Sequence, residues 1–170
     1  MEDPDARAWL DSHVNLETGI GVPTSVDRRS SAPTLDRIDS LLTLLGSPQR
    51  ELAAVHVTGT NGKTSATRMC AALLDALGLK TGSYTSPHLE RVNERMELCG
   101  EAVADDVFDD LLASVRTAEQ AMEGRPSYFE VVTAAALRWF ADEAVEAAVV
   151  EVGVVAPGTR RISWTVASQW

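Results

Sequence analysis

Apolar positions along the chain fall into two alternating kinds of pattern. From Leu35, apolar residues recur at Leu35, Ile38, Leu41, Leu42 and Leu45, a helical spacing that Gly46 and Pro48 stop. The run "LAAVHV" (52–57) is short, apolar and bounded by a glycine-rich turn, which predicts a buried strand with His56 as a core residue. From Lys63 the spacing is helical again, through Met69, Leu73, Leu74 and Leu77, with Gly78 placed to cap the end. "KTGSYT" (80–85) predicts a second short strand. A third helix is expected over 105–122, with Val107, Leu111, Leu112 and Val115 on one face, and a fourth, alanine-rich one over 129–143. "VEAAVVEVG" (145–153) is the best candidate for a central strand. Residues 1–34 form an amino-terminal lead-in, irregular over 21–34, where Pro, Ser and Arg concentrate. Strands alternating with helices predict an α/β fold, a mostly parallel sheet with helices on both faces. Ligands of such sheets sit beyond the carboxyl ends of the strands. "TGTNGKTS" and "EVG" both follow predicted strands, so they can meet there.

Composition narrows the picture. Of 170 residues, 45% are apolar and 24% charged, as in an ordinary globular chain. The net charge of −10 argues against a nucleic-acid surface. An anionic ligand would have to be held by a local device. No apolar run approaches the ~18 residues that cross a bilayer, and "MEDPDARAWL" lacks the basic and apolar regions of a signal peptide. Cys70 and Cys99 have no metal-type spacing, and Cys70 reads as a small core residue. The expectation is a cytoplasmic protein without a membrane partner.

The local device is "HVTGTNGKTSATRM" (56–69). Gly59 and Gly62 permit close backbone approach, so successive N–H groups can turn inward as a nest for phosphate oxygens. A helix starting near Lys63 adds its positive end. Lys63 supplies a point charge, and Thr64 or Ser65 a hydroxyl for phosphate or Mg²⁺. The strict pattern G-x-x-x-x-G-K-[ST] fails, because Val57 stands where its first glycine belongs, but the G-K-T core fits between a strand and a helix.

"TGTNGKTS" resembles the phosphate loop of the Mur-ligase superfamily. Four further stretches resemble its folylpolyglutamate synthase / dihydrofolate synthase branch: "LDRIDSLLTLLGSPQ", "TSPHLERVNERMELCGE" (85–101), "YFEVVTAAAL" (128–137) and "AVVEVG" (148–153). Order and spacing agree over roughly residues 34–153. The resemblance implies part of a Mur-ligase-like central ATP-binding domain over 35–153. It implies a ligase that uses ATP to convert a dihydropteroate or folate carboxylate to an acyl phosphate, which the amine of L-glutamate then attacks. By matching position, Gly59, Thr60, Asn61, Gly62, Lys63, Thr64 and Ser65 would hold ATP, and Ser86 and Glu151 would ligate Mg²⁺. Lys63 and Glu151 would be the catalytic pair.

Each position has a plainer alternative. Glu151 could serve a structural hydrogen bond, and Ser86, before Pro87, could be a turn residue. His88 either lines the folate pocket or is a surface loop histidine. Arg95 either meets a substrate carboxylate as a bidentate donor or is solvated. Tyr128 and Phe129 read as core.

After Gly153 the resemblance stops. Residues 154–170, "VVAPGTRRISWTVASQW", show neither helical period nor strand alternation. Reading from the third base of the Val154 codon, synonymous choices allow the same bases to encode G-G-T-W-D-A-T-N, which is family-like. The expectation is an aberrant, frameshifted tail and a truncated, inactive front part of a ligase. The competing readings are a Mur-type peptidoglycan precursor ligase and a stand-alone P-loop nucleotide-binding module.

Overall fold

The computed structural model describes residues 4–15, 17 and 35–151. The irregular stretch 21–34 and the tail 154–170 lie outside the described residues. Five helices are seen: α1 Pro4–Asp11, α2 Leu35–Leu44, α3 Lys63–Ala76, α4 Asp105–Glu119 and α5 Tyr128–Asp142. The strands are β1 Ala54–Val57, β2 Thr81–Tyr84, β3 Met96–Leu98, β4 Glu101–Ala102 and β5 Ala147–Glu151.

They form one sheet in the order β1-β5-β2-β3-β4. β5 runs parallel to both β1 and β2, while β3 and β4 add an antiparallel margin. The crossover from β1 to β2 passes over the position of β5, and the return to β5 runs the other way. Right-handed crossovers therefore place α3 and α5 on opposite faces. β5, "AAVVE", apolar up to its terminal Glu151, is buried along its whole length, as a central parallel strand requires.

The main core lies on the α5 side. Leu41, Leu42, Phe108, Leu112, Val115, Val131, Val132 and Phe140 are fully buried there. Gly82 on β2 exists for this packing: a Cβ at that position would sit 2.8 Å from the Phe140 ring. Helix α5 begins at a capping box. Ser127 N–H donates to Glu130 Oε2 at 2.6 Å, and Glu130 N–H donates to Ser127 Oγ at 3.3 Å. Glu130, buried in "YFE", thus fixes where α5 starts, and Arg37 of α2 reaches it at 3.4 Å.

Three expectations need correction, and one element was not foreseen. β1 is not a buried strand but an edge among the described residues, and His56 is exposed rather than in the core. A single flanking strand leaves both its faces poorly covered. Cys70 is only half-buried, for the same reason, on α3. Val107 is exposed, while Leu111, Leu112 and Val115 carry the buried face of α4. Finally, the lead-in contains a helix. α1 docks on α4 through Arg7, which donates to Asp109 at 2.9 Å and Asp105 at 2.8 Å. His13 and Trp9 reach Glu119 at 3.1 and 2.9 Å.

Candidate active site

The carboxyl ends of three adjacent parallel strands lie side by side. Val57, the last residue of β1, pairs with Glu151, the last of β5. Tyr84, the last of β2, pairs with Val150. The glycine loop 58–62, the Glu151 carboxylate and the segment Thr85-Ser86 therefore share one edge of the sheet. Residues 58–62 are exposed, and Lys63 and Thr64 are half-buried at the start of α3. Gly62 is the N-cap with φ 72° and ψ 8°, left-handed values that a side chain would disfavour. That turn directs the first free N–H groups of the 14-residue α3 toward the loop.

The decisive contact is Thr64 Oγ1, which donates to Glu151 Oε2 at 2.8 Å. It ties the glycine loop to the central strand. Glu151 is 3% exposed and Ser86 6% exposed. A buried carboxylate beside buried hydroxyls is costly unless a cation or donors satisfy it. Thr64, Ser86 and Glu151 supply hard oxygen donors, the set that Mg²⁺ prefers. No group of three or more His, Cys, Asp or Glu side chains suited to a metal occurs among the described residues.

A second cluster lies behind Ser86, whose peptide bond to Pro87 is cis. Arg95 is fully buried. Its Nε–H donates to His88 Nδ1 at 2.9 Å, and its two terminal nitrogens donate to both carboxylate oxygens of Glu17. The guanidinium also stands 5.6 Å over the Tyr128 ring. So Arg95 is a bidentate donor as anticipated, but to Glu17 of this chain, and it is buried rather than solvated. Burial, then the Arg95 charge, lowers the pKa of His88 from its ordinary value. With Nδ1 accepting from Arg95, His88 is a neutral imidazole whose Nε2 carries the hydrogen. Burial raises Tyr84 and pushes Tyr128 up to about 12, so both remain neutral phenols. Tyr84 and Thr133 share a hydroxyl hydrogen bond of 3.1 Å. Glu94 holds the loop beyond His88 by accepting from the N–H groups of Leu89, Glu90 and Arg91 at 2.9, 3.0 and 2.8 Å.

The fold brings the loop, Ser86 and Glu151, all named from the sequence, to the carboxyl ends of adjacent strands. It missed Glu17, Glu94 and Tyr84. Glu94 precedes Arg95 in "ERM", and its three backbone contacts could have been suspected from its spacing to 89–91. Glu17, 78 residues from Arg95, left no local signal.

The chain is similar to the dihydrofolate synthase/folylpolyglutamate synthase of Mycobacterium tuberculosis, 44% identical over 133 residues. That match covers 72% of this chain and 27% of the relative. The folylpolyglutamate synthase of Lacticaseibacillus casei is 41% identical over 123 residues. The chain belongs to the folylpolyglutamate synthase / dihydrofolate synthase family and matches its amino-terminal portion. Family membership accounts for the clustering of the five stretches: in the fold, four of them bracket one sheet edge or support the helix behind it. Solved structures agree. An L. casei folylpolyglutamate synthase–AMPPCP–folate complex superimposes with a TM-score of 0.73 at 35% identity, covering 90% of this chain and 35% of that one. The M. tuberculosis enzyme complexed with ADP gives 0.66 at 43% identity. No protein-family model matches the chain. The chain spans about a third or less of the relatives it matches.

Proposed function

We propose that this chain forms the phosphate-binding front of an ATP-dependent ligase that joins L-glutamate to dihydropteroate or folate. One observation carries the reading: the glycine loop, Glu151 and Ser86 occupy the carboxyl ends of three adjacent parallel strands, and Thr64 bridges the first two at 2.8 Å.

In this reading Gly59, Thr60, Asn61 and Gly62 wrap the ATP phosphates with backbone N–H groups, aided by the α3 amino terminus. Lys63 places its ammonium on the terminal phosphates, and Thr64 and Ser65 offer hydroxyls. Ser86 and Glu151 would hold Mg²⁺, which when bound neutralises charge between phosphate oxygens. The substrate carboxylate oxygen attacks the γ-phosphorus and ADP departs. The glutamate amine then attacks the acyl carbon, loses a proton, and phosphate leaves. The chain's contribution is positioning and charge, which suits a transfer with little covalent work for the protein. His88, neutral and donating from Nε2, is the substrate-side group of this region. Arg95 acts through it and through Glu17. Among the described residues no helix is long and apolar enough to cross a membrane.

The test is a fusion of residues 1–151 to the remainder of the M. tuberculosis relative. It should incorporate labelled glutamate into a folate acceptor with ATP, and Lys63→Ala and Glu151→Gln should each abolish turnover. Activity surviving both substitutions refutes the assignment. The 170-residue polypeptide by itself is expected to show no glutamate ligation. Sequencing the coding DNA across Gly153 tests the proposed frameshift: an open shifted frame encoding D-A-T-N supports it, and an early stop in that frame excludes it.

A further inference from the structure

Arg95 is 1% exposed, and a buried charge is costly unless a counter-charge and hydrogen bonds satisfy it. The carboxylate that balances it comes from the amino-terminal lead-in. The Val14 carbonyl accepts from Tyr128 N–H at 3.0 Å, which sets the lead-in against the first turn of α5. The Asn15 side chain then accepts from Glu17 N–H at 3.0 Å and turns the chain. Glu17 accepts from both terminal nitrogens of Arg95, one of them at 3.3 Å. The rest of Arg95 is engaged by the segment 85–88. Its carbonyl accepts from Thr85 N–H at 2.8 Å, and its Nε–H donates to His88 Nδ1 at 2.9 Å. One residue therefore grips both ends of Thr85-Ser86-Pro87-His88. The main-chain grip is independent of where the guanidinium points. The side-chain grip is not, because the guanidinium is rigid and planar: a carboxylate held by its two terminal nitrogens also fixes the direction of Nε–H.

We propose that Glu17 is a positioning residue of the substrate side of the site: it aims the buried Arg95 guanidinium so that Nε–H holds the His88 ring, leaving Nε2–H free for the acceptor substrate. The effect on catalysis rests on the ligation reading above; the positioning rests on geometry alone. Docking of the lead-in does not require this pair. Arg7 already ties α1 to Asp105 and Asp109, and Trp9 and His13 tie it to Glu119. Glu17 instead reaches past that contact to the segment that carries Ser86 and His88. Without its charge the guanidinium becomes a buried, unbalanced cation, and it turns toward water. The Glu17 side chain is 29% exposed, so water is close at hand. Nε–H then leaves His88, while the main-chain bond to Thr85 stays. The loss falls on His88 and spares the glycine loop.

The experiment measures, by NMR of the isotope-labelled 170-residue chain, the nitrogen–nitrogen coupling transmitted through the hydrogen bond from Arg95 Nε to His88 Nδ1. The chain has 3 histidines, so His88→Gln assigns the signal. The parent chain should show the coupling. Glu17→Gln, which keeps the shape and removes the charge, should lose it with an unchanged circular dichroism spectrum. Trp9→Phe, which removes a different lead-in contact, should keep it. Arg95→Lys is the second variant, and it serves where Glu17→Gln loses the folded spectrum: it keeps a cation for Glu17 but has no Nε–H for His88. In the fusion to the remainder of the M. tuberculosis relative, Glu17→Gln and Arg95→Lys should each raise the KM for the folate acceptor on the order of tenfold or more, the scale of a misplaced positioning group. The KM for ATP should stay unchanged in both. A parent chain without the coupling, a Glu17→Gln chain that retains it, or an Arg95→Lys fusion with an unmoved acceptor KM overturns the proposal. So does loss of the coupling in Trp9→Phe, because docking of the whole lead-in would then hold His88 rather than the Glu17 charge. A parent fusion that ligates nothing counts against the ligation reading, and the coupling in the 170-residue chain still decides the positioning role.

Discussion

Thr64 and Glu151 make the contact that turns two separate motifs into one site. Of the alternatives weighed from sequence for Glu151, a structural hydrogen bond or a metal role, the structure shows a hydrogen bond from Thr64 to Oε2. Thr64→Val removes the hydroxyl while keeping the shape. It should weaken Mg²⁺-dependent nucleotide binding on the order of tenfold, the cost of leaving a buried acceptor unpaired, with little loss in nucleotide binding measured in EDTA. Titration calorimetry with and without Mg²⁺ checks this. His88 gives a pH prediction. Its folded pKa is depressed by burial and by Arg95, so the unfolded chain takes up the proton first. The associated stability is complete above the unfolded value near 6.5 and is lost as pH falls below it toward the lower folded value. NMR titration of His88 should give a midpoint under 6.5, with the hydrogen on Nε2 at neutral pH. Removing the guanidinium in Arg95→Met should raise that midpoint. The G-K-T core marked Lys63 by local spacing, whereas Ser86 and Glu151 were named only through the family resemblance. The Glu17–Arg95 pair was invisible, since a contact spanning 78 positions depends on the fold.

Elements explain which parts of the fold could be read in advance. Helices α2, α4 and α5 and strands β2 and β5 fall where apolar periodicity puts them, because each has a covered face to bury. Strands β3 and β4 were not foreseen. Their "MEL" and "EA" are too short for alternation to register, and the left-handed Cys99-Gly100 turn between them decides the hairpin. Helix α1 was hidden because ion pairs rather than a long apolar stripe fix it to α4. Two element-scale outcomes follow. Gly82→Ala should destabilise the chain by about 1–3 kcal/mol, because the new methyl drives into Phe140. Ser127→Ala should cost about 1 kcal/mol by removing one half of the α5 capping box. Urea unfolding followed by circular dichroism measures both. A neutral Gly82→Ala would show that β2 and α5 are less closely packed than described.

At the scale of the molecule, the described residues have a well-packed side and a more exposed one. The α5 face holds the core, while α3 and β1 turn apolar residues outward. Periodicity marked Met69, Leu73 and Leu77 as helical but could not say which way they face, because spacing fixes a common stripe and not whether the sheet lies under it. The described residues bring the glycine loop, Ser86 and Glu151 to one end of the sheet, where the proposed phosphate site lies. Calorimetric titration of the 170-residue chain with AMPPCP and Mg²⁺ tests that claim most directly. The account predicts saturable one-to-one binding that Lys63→Ala weakens on the order of tenfold or more, the scale of a lost charge-assisted phosphate contact, while the folded spectrum is unchanged. A folded chain that binds no nucleotide, or that binds it equally well without Lys63, would contradict the account.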